Sequence, residues 1–242
     1  MDAIRIEQLS KTYGAVKAVD DLTLSVREGE LFSLLGLNGA GKTTTIKMLS
    51  CLTAPSGGDA WMFEKSIAAD THAIKSMIAV SPQETAVAPG LSALENLELM
   101  CGVHGFSKEK RLQKIAELTE FLELSSILKT KARKLSGGWQ RRLSIAMALI
   151  SEPKILFLDE PTLGLDVVAR SELWDLIRSL KGTVTVILTT HYMEEAESLS
   201  DRVGIMKNGK LLTVGTPLQI KEQAGCDNFE EAFIRIVKGV SA

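Results

Sequence analysis

The segment that most restricts the fold is Gly36-Leu37-Asn38-Gly39-Ala40-Gly41-Lys42-Thr43. It follows a run at 31–35 that is apolar except for Ser33 and precedes Thr45, Ile46, Leu49 and Leu52 at helical spacing. A nearly continuous apolar run reads as a strand covered on both faces. Strand, glycine-rich turn and helix in that order fit G-x-x-x-x-G-K-[ST], in which backbone N–H groups surround an anion and the helix adds its positive dipole end. Gly36, Asn38, Gly39, Ala40, Gly41, Lys42, Thr43 and Thr44 are the expected phosphate-binding residues. The Lys42 ammonium is expected on the β- and γ-phosphates and the Thr43 hydroxyl on Mg²⁺.

A P-loop alone leaves kinases, GTPases and motor ATPases open. Residues 155–158 form a second apolar run and end in Asp159 and Glu160. A buried strand delivering two carboxylates beside a P-loop places Asp159 near the metal and Glu160 near the attacking water. The same two residues also suit an ordinary acidic helix start. Upstream, Leu135-Ser136-Gly137-Gly138-Trp139-Gln140 precedes Leu143, Ile145, Ala146, Leu149 and Ile150 in a helical pattern. Ser136, Gly137 and Gly138 therefore form a second helix start able to hold an anion. One small nucleotide does not need two cradles from one chain, so the second is expected to serve a nucleotide held by a neighbouring copy.

Composition removes other classes. The 242 residues carry 28 Lys plus Arg against 30 Asp plus Glu, a net charge of -2. No broad basic field results, and nucleic acid is not an expected partner. Aromatics make up 5% of a chain that is 45% hydrophobic, so the core is expected to be aliphatic. The apolar runs are far shorter than a membrane span, and the start, Met-Asp-Ala-Ile-Arg-Ile, has no secretion pattern, so the chain is expected to stay in the cytoplasm. Cys51, Cys101 and Cys226 are widely spaced and contain no Cys-x-x-Cys pair, as for free thiols rather than a zinc site.

Periodicity supplies the architecture. Alternation at 4–9 and 16–26 predicts two half-buried strands of a mostly antiparallel layer, turning at Tyr13-Gly14. A short run at 78–80 leads into a loop up to Gly90, and 91–150 reads as a helical insertion. Within it Leu112, Ile115, Leu118, Phe121 and Leu122 form one stripe. Strands at 155–158, 183–188 and 202–206 alternate with helices at 167–180 and 193–199. The expected fold is α/β: a P-loop core with a mostly parallel sheet, an N-terminal antiparallel β layer and a helical insertion.

Leu135-Ser136-Gly137-Gly138-Trp139-Gln140-Arg141-Arg142 resembles the signature motif of the ATP-binding cassette family, the ATPase subunits of ABC transporters. The resemblance runs from residue 4 to about 215. It implies that Tyr13 stacks on adenine, that Gln83 approaches Mg²⁺ and senses the membrane partner, and that His191 contacts the γ-phosphate. Leu163-Gly164-Leu165-Asp166 resembles the D-loop, with Leu163 where members often have Ser, so Asp166 joins the expected nucleotide-binding residues. The catalytic set is then Glu160, His191 and Gln83, with Thr43, Gln83 and Asp159 at the metal. His72 and His104 match no motif.

The implied molecule hydrolyses ATP with Mg²⁺ as a pair, with a second copy or a homologous ATPase subunit. It is peripheral on the cytoplasmic face of the cell membrane and drives an integral membrane permease subunit. Residues 1–84 and 152–225 are expected as catalytic core with β layer, 85–151 as helical subdomain, and 226–242 as C-terminal helix. Segments 38–45, 190–196 and 208–210, with the ending at 229–234, resemble the drug, sodium and polysaccharide exporters. Importers and non-transport cassette ATPases are the alternatives for the branch. The non-transport cassettes usually carry two cassettes or a long coiled-coil insertion, neither of which is found here.

Overall fold

The computed structural model describes residues 1–239. In chain order the elements are β1 (Asp2–Tyr13), β2 (Val16–Arg27), β3 (Leu31–Gly36), α1 (Lys42–Leu49), β4 (Gly57–Met62), β5 (Lys65–Ser66), α2 (Thr71–Lys75) and β6 (Ile78–Ser81). Then follow α3 (Ala93–Val103), α4 (Lys108–Phe121), α5 (Gly137–Leu149), β7 (Ile155–Asp159), α6 (Val167–Ser179), β8 (Thr185–Thr190) and α7 (Met193–Leu199). The chain closes with β9 (Arg202–Lys207), β10 (Lys210–Gly215), α8 (Pro217–Ala224) and α9 (Phe229–Lys238).

Two sheets organise these elements. The first is antiparallel in the order β2-β1-β4-β5; the second runs β10-β9-β3-β8-β7-β6 and is parallel except for β10. β3, β7 and β8 are buried at every position, as their apolar runs require. Leu34, Phe32 and Phe157 face the antiparallel sheet, packing with Ile4, Ile6 and Ala60. On the opposite face Leu156 and Leu158 pack against α5 and the rest of the insertion through Leu143, Ile145 and Leu149. The C-terminal ends of β3, β7 and β8 lie side by side, which brings Gly36, Asp159 and Thr190 to one edge.

Several expectations shift. The strand expected at 183–188 is β8 (Thr185–Thr190), because Thr183 and Val184 still donate to Leu180 O in the turn leaving α6. It extends two residues further than expected and ends directly before His191. The stripe on α4 is narrower than its letters: Ile115, Leu118 and Leu122 are buried, whereas Leu112 and Phe121 are exposed. α4 packs along the outer edge of the insertion, so only the central part of its apolar face is covered. The insertion itself is three helices joined by 3₁₀ turns at Leu124–Ser126 and Ala132–Lys134.

β4, which opens on Gly57, along with β10, α2 and α8, lies outside the expected pattern. β4 carries Gly57, Gly58 and Asp59, poor strand formers, and holds because it pairs with β1 from Ile4↔Met62 to Ser10↔Gly57. The C-terminal helix stands as α9, while 240–242 of the expected segment lie outside the described residues. Cys51, Cys101 and Cys226 are free thiols, with Cys101 buried. His72 and His104 are exposed.

Candidate nucleotide site

At the end of β3 the chain turns through 37–41 into α1 without a side-chain cap, so the first N–H groups of the helix face the turn. Gly41 makes this geometry possible. Its φ is +105°, and a Cβ there would lie 2.5 Å from Ala18 O. The resulting cleft has a volume of about 740 Å³. One wall is Asn38 to Thr44, another is Val16, Lys17 and Ala18 from the start of β2, and Gln83, Glu160, Leu163, His191 and Asn208 complete it.

The cleft is lined by opposed charges. Lys42 Nζ donates to Gly36 O at 2.6 Å and lies 3.2 Å from Glu160 Oε1. The other carboxylate oxygen of Glu160 is 2.8 Å from His191 Nδ1. Glu160 sits at φ 48°, and its N–H donates to Thr189 O at 3.0 Å. That left-handed backbone, unusual for a non-glycine residue, turns its carboxylate out of the strand line into the cleft. Asp159 lies just behind the wall. Its Oδ1 accepts from Thr43 Oγ1 at 3.1 Å and from Thr189 Oγ1 at 2.5 Å.

A hydroxyl from Thr43, a carboxylate from Asp159 and an amide from Gln83 are hard oxygen donors, which suit Mg²⁺. Among the described residues no group of three His, Cys, Asp or Glu gathers as a self-sufficient metal site. A metal held jointly by these donors and by phosphate oxygens fits that set, which is how Mg²⁺ usually sits in phosphate sites.

The other expected residues stand apart. Tyr13 is 48% exposed on the β1–β2 hairpin and outside the cleft lining, which begins at Val16. Ser136, Gly137 and Gly138 open α5 away from the cleft; the Ser136 hydroxyl caps that helix by accepting from Trp139 N. Ser136 and Gly138 border a separate hollow with Trp139, Arg142, Ala169 and Glu172. Asp166 caps α6, accepting from Ala169 N at 2.9 Å, and is exposed. One chain thus carries a complete P-loop cleft and a second, outward-facing helix start.

Three buried polar residues escaped the sequence reading. Thr189 holds Asp159, as described. Arg141 donates to main-chain oxygens around the cleft, and burial pulls its guanidinium below the usual value while Asp159 and Glu195 hold it up. Glu195 on α7 accepts from Thr162 Oγ1 at 2.8 Å and Trp174 Nε1 at 3.1 Å, and burial pushes its carboxyl up. Arg141 did leave a signal: a cation between Gly138 and Ile145 on a face of α5 that otherwise carries no charge.

Comparison with known proteins follows the same lines. The ABC transporter family profile matches residues 19–163. The chain belongs to the ABC transporter family. It is 39% identical over 225 residues to the daunorubicin/doxorubicin resistance ATP-binding protein DrrA of Streptomyces peucetius, covering 92% of this chain and 68% of that protein. It is 39% identical over 229 residues to the Nod factor export ATP-binding protein I of Ralstonia nicotianae, covering 94% of this chain and 71% of that protein.

Among solved structures, an ATP-binding subunit of an ABC transporter superposes with a TM-score of 0.84 at 28% identity, covering 97% of this chain and 99% of that one. A dimeric ATP-binding cassette in a post-hydrolysis state bound to ADP and Pi gives a TM-score of 0.78 at 27% identity, covering 88% and 98%. The chain is the ATP-hydrolysing kind of ABC subunit. No described helix is long and apolar enough to cross a membrane.

Proposed function

We propose that two copies of this ABC ATPase close around two ATP molecules, each held between the P-loop of one copy and the Ser136–Gly138 helix start of the other. The observation that carries the reading is the separation of those two elements: Ser136, Gly137 and Gly138 are absent from the cleft lining of their own chain, and Ser136 and Gly137 are exposed. In the P-loop, Lys42 and the backbone N–H groups of 39–44 hold the β- and γ-phosphates. Thr43, Asp159 and Gln83 would hold Mg²⁺, which would supply positive charge to offset that of the phosphates.

Glu160 accepts a proton from the water whose oxygen attacks the γ-phosphorus, and His191 orients that carboxylate through its hydrogen bond. Asp166, on the exposed loop before α6, reaches toward the partner across the closed interface. Tyr13, on the hairpin beside the Val16 wall, stacks on the adenine. Residues 1–84 and 152–225 serve as the catalytic core, 85–151 as the helical subdomain and 226–242 as a C-terminal helix. The transmembrane permease is a separate chain docked on the helical subdomain, where α3 exposes Leu99 and Val103. The drug-resistance and Nod-factor-export names of the relatives favour export, and the subunit works on the cytoplasmic face of the membrane.

Mixing two inactive variants tests the pairing. Lys42→Ala loses the P-loop cation, and Ser136→Arg blocks the outward helix start. In a mixed pair, the first supplies a good helix start and the second a good P-loop. ATP-dependent heterodimers should form only in the mixture. If Ser136→Arg alone abolishes ATP binding by the monomer, and the mixture neither associates nor hydrolyses, the site is built within one chain.

A further inference from the structure

We propose that Arg141 is a positioning residue that locks the Gln83 segment, the Glu160 turn and the α5 helix start into one body. It would thereby tie the state of the chain's own cleft to the surface it offers its neighbour's ATP. Arg141 lies about one turn into α5, the helix that begins next to Ser136. Its side chain is buried, with 4% of the residue exposed. Nη1 donates to Pro82 O at 2.6 Å, and Nη2 donates to Gln83 O at 2.6 Å and, more distantly, to Glu160 O at 3.4 Å. A hydroxyl contact of 3.0 Å between Ser81 and Ser144 braces the same face of α5 against the end of β6.

The three acceptors belong to two working parts, the Gln83 segment and the Glu160 turn. Gln83 lines the cleft, and Glu160 carries the carboxylate beside Lys42 and His191. Arg141 itself belongs to the helix whose first turn is the outward cradle. A planar fork on consecutive carbonyls fixes both position and orientation, which an ammonium on a flexible stem does not. Burial acts against this charge, and the carboxylates of Asp159 and Glu195 act in its favour. A displacement of the Gln83 segment must therefore either break charge-assisted bonds or carry α5 and the Glu160 turn with it. The link to the neighbour rests on the proposed pairing; the link between Gln83 and Glu160 does not.

The test uses Arg141→Met and Arg141→Lys in the full chain. Steady-state MgATP hydrolysis is measured, along with cleavage after the exposed Glu84 by a Glu-specific endoproteinase and mapping of the fragments by mass. Lys42 and the P-loop are untouched, so Arg141→Met should keep KM within about twofold while kcat falls by about tenfold or more. Cleavage after Glu84 should quicken by about fivefold as the segment is released from α5. Arg141→Lys should recover part of kcat, since one ammonium can still reach a carbonyl. In a Glu160→Gln background, Arg141→Met should also lose ATP-driven dimerisation.

Wild-type kcat and wild-type cleavage in Arg141→Met would overturn the proposal. So would kcat, KM and melting temperature all falling together with no recovery in Arg141→Lys, the mark of a residue that only fills space. Should Arg141→Met fail to fold, Arg141→Lys decides alone: a kcat loss at constant KM supports the lock, and wild-type kcat overturns it. If Glu160→Gln with Arg141 intact does not dimerise with ATP, the pairing fails, while the kcat split and the Glu84 cleavage still judge the lock.

Discussion

The Lys42 ammonium lies 3.2 Å from Oε1 of Glu160, with both side chains almost fully buried. The cation that must meet the phosphates is thus paired with the carboxylate that must meet the attacking water. A nucleotide that claims Lys42 has to draw it away from this partner, so the pair opposes binding. Glu160→Gln should therefore bind ATP several-fold more tightly than wild type, because Lys42 no longer leaves a buried carboxylate unpaired. The same change removes the proton acceptor, and hydrolysis should fall by about 10² to 10⁴-fold. Equilibrium titration with a fluorescent ATP analogue and a phosphate-release assay check both halves. Weaker binding by Glu160→Gln would show that the pair does not oppose the nucleotide.

The reverse deletion tests the pair as a structural element. Lys42→Ala leaves Glu160 buried with only His191 beside it and should cost roughly 3 kcal/mol of stability, beyond abolishing ATP binding. Adding Glu160→Gln removes the stranded charge, so the double variant should be more stable than Lys42→Ala alone. Urea unfolding of the four proteins closes the cycle. Additive losses would mean that the two side chains do not interact in solution.

What the sequence revealed was local. Gly36 to Thr43 needs only a strand before it and a helix after it, and each residue type has its reason within the turn. Asp159 and Glu160 were readable because β7 is uniformly apolar up to the carboxylates. Arg141 was not, since its acceptors Pro82, Gln83 and Glu160 lie 59, 58 and 19 residues away, and no spacing rule links them. The exposure of Leu112 and Phe121 was hidden for a related reason: helical periodicity says which face is apolar, while neighbours decide how much is covered. β4 was illegible because its glycines are tolerated only through its pairing with β1.

Glu195 predicts a dependence on pH. Burial raises its carboxyl above the ordinary value of 4.5, against bonds from Thr190, Thr162 and Trp174 that lower it. Because the folded value is raised, the stability this group contributes is full below its ordinary value and is lost as pH rises through the raised one. Glu195→Gln keeps an oxygen for Thr162 and Trp174 and cannot ionise. Its melting temperature relative to wild type should rise as pH climbs above the ordinary value of 4.5. Thermal melts across that range measure the difference, and a constant offset would mean that Glu195 does not change its protonation on unfolding.

Two glycines separate a backbone requirement from a surface one. At Gly41 a methyl group would stand 2.5 Å from Ala18 O on a residue at φ +105°, and neither atom can move without moving the chain. Gly41→Ala should therefore lose about 1–3 kcal/mol of stability along with ATP binding. Gly138 differs: it lies in the first turn of α5, and its methyl would meet Ala169 Cβ at 3.0 Å, which needs a few tenths of an ångström of give from α6. Helix propensity returns roughly 0.5–1 kcal/mol for Gly→Ala, so the melting temperature should change little. The methyl also narrows the outward cradle beside Ser136. Gly138→Ala should thus bind ATP normally as a monomer yet fail to dimerise with ATP when combined with Glu160→Gln, as read by gel filtration. If the combined variant dimerises like Glu160→Gln, the helix start of α5 does not take the neighbour's phosphate.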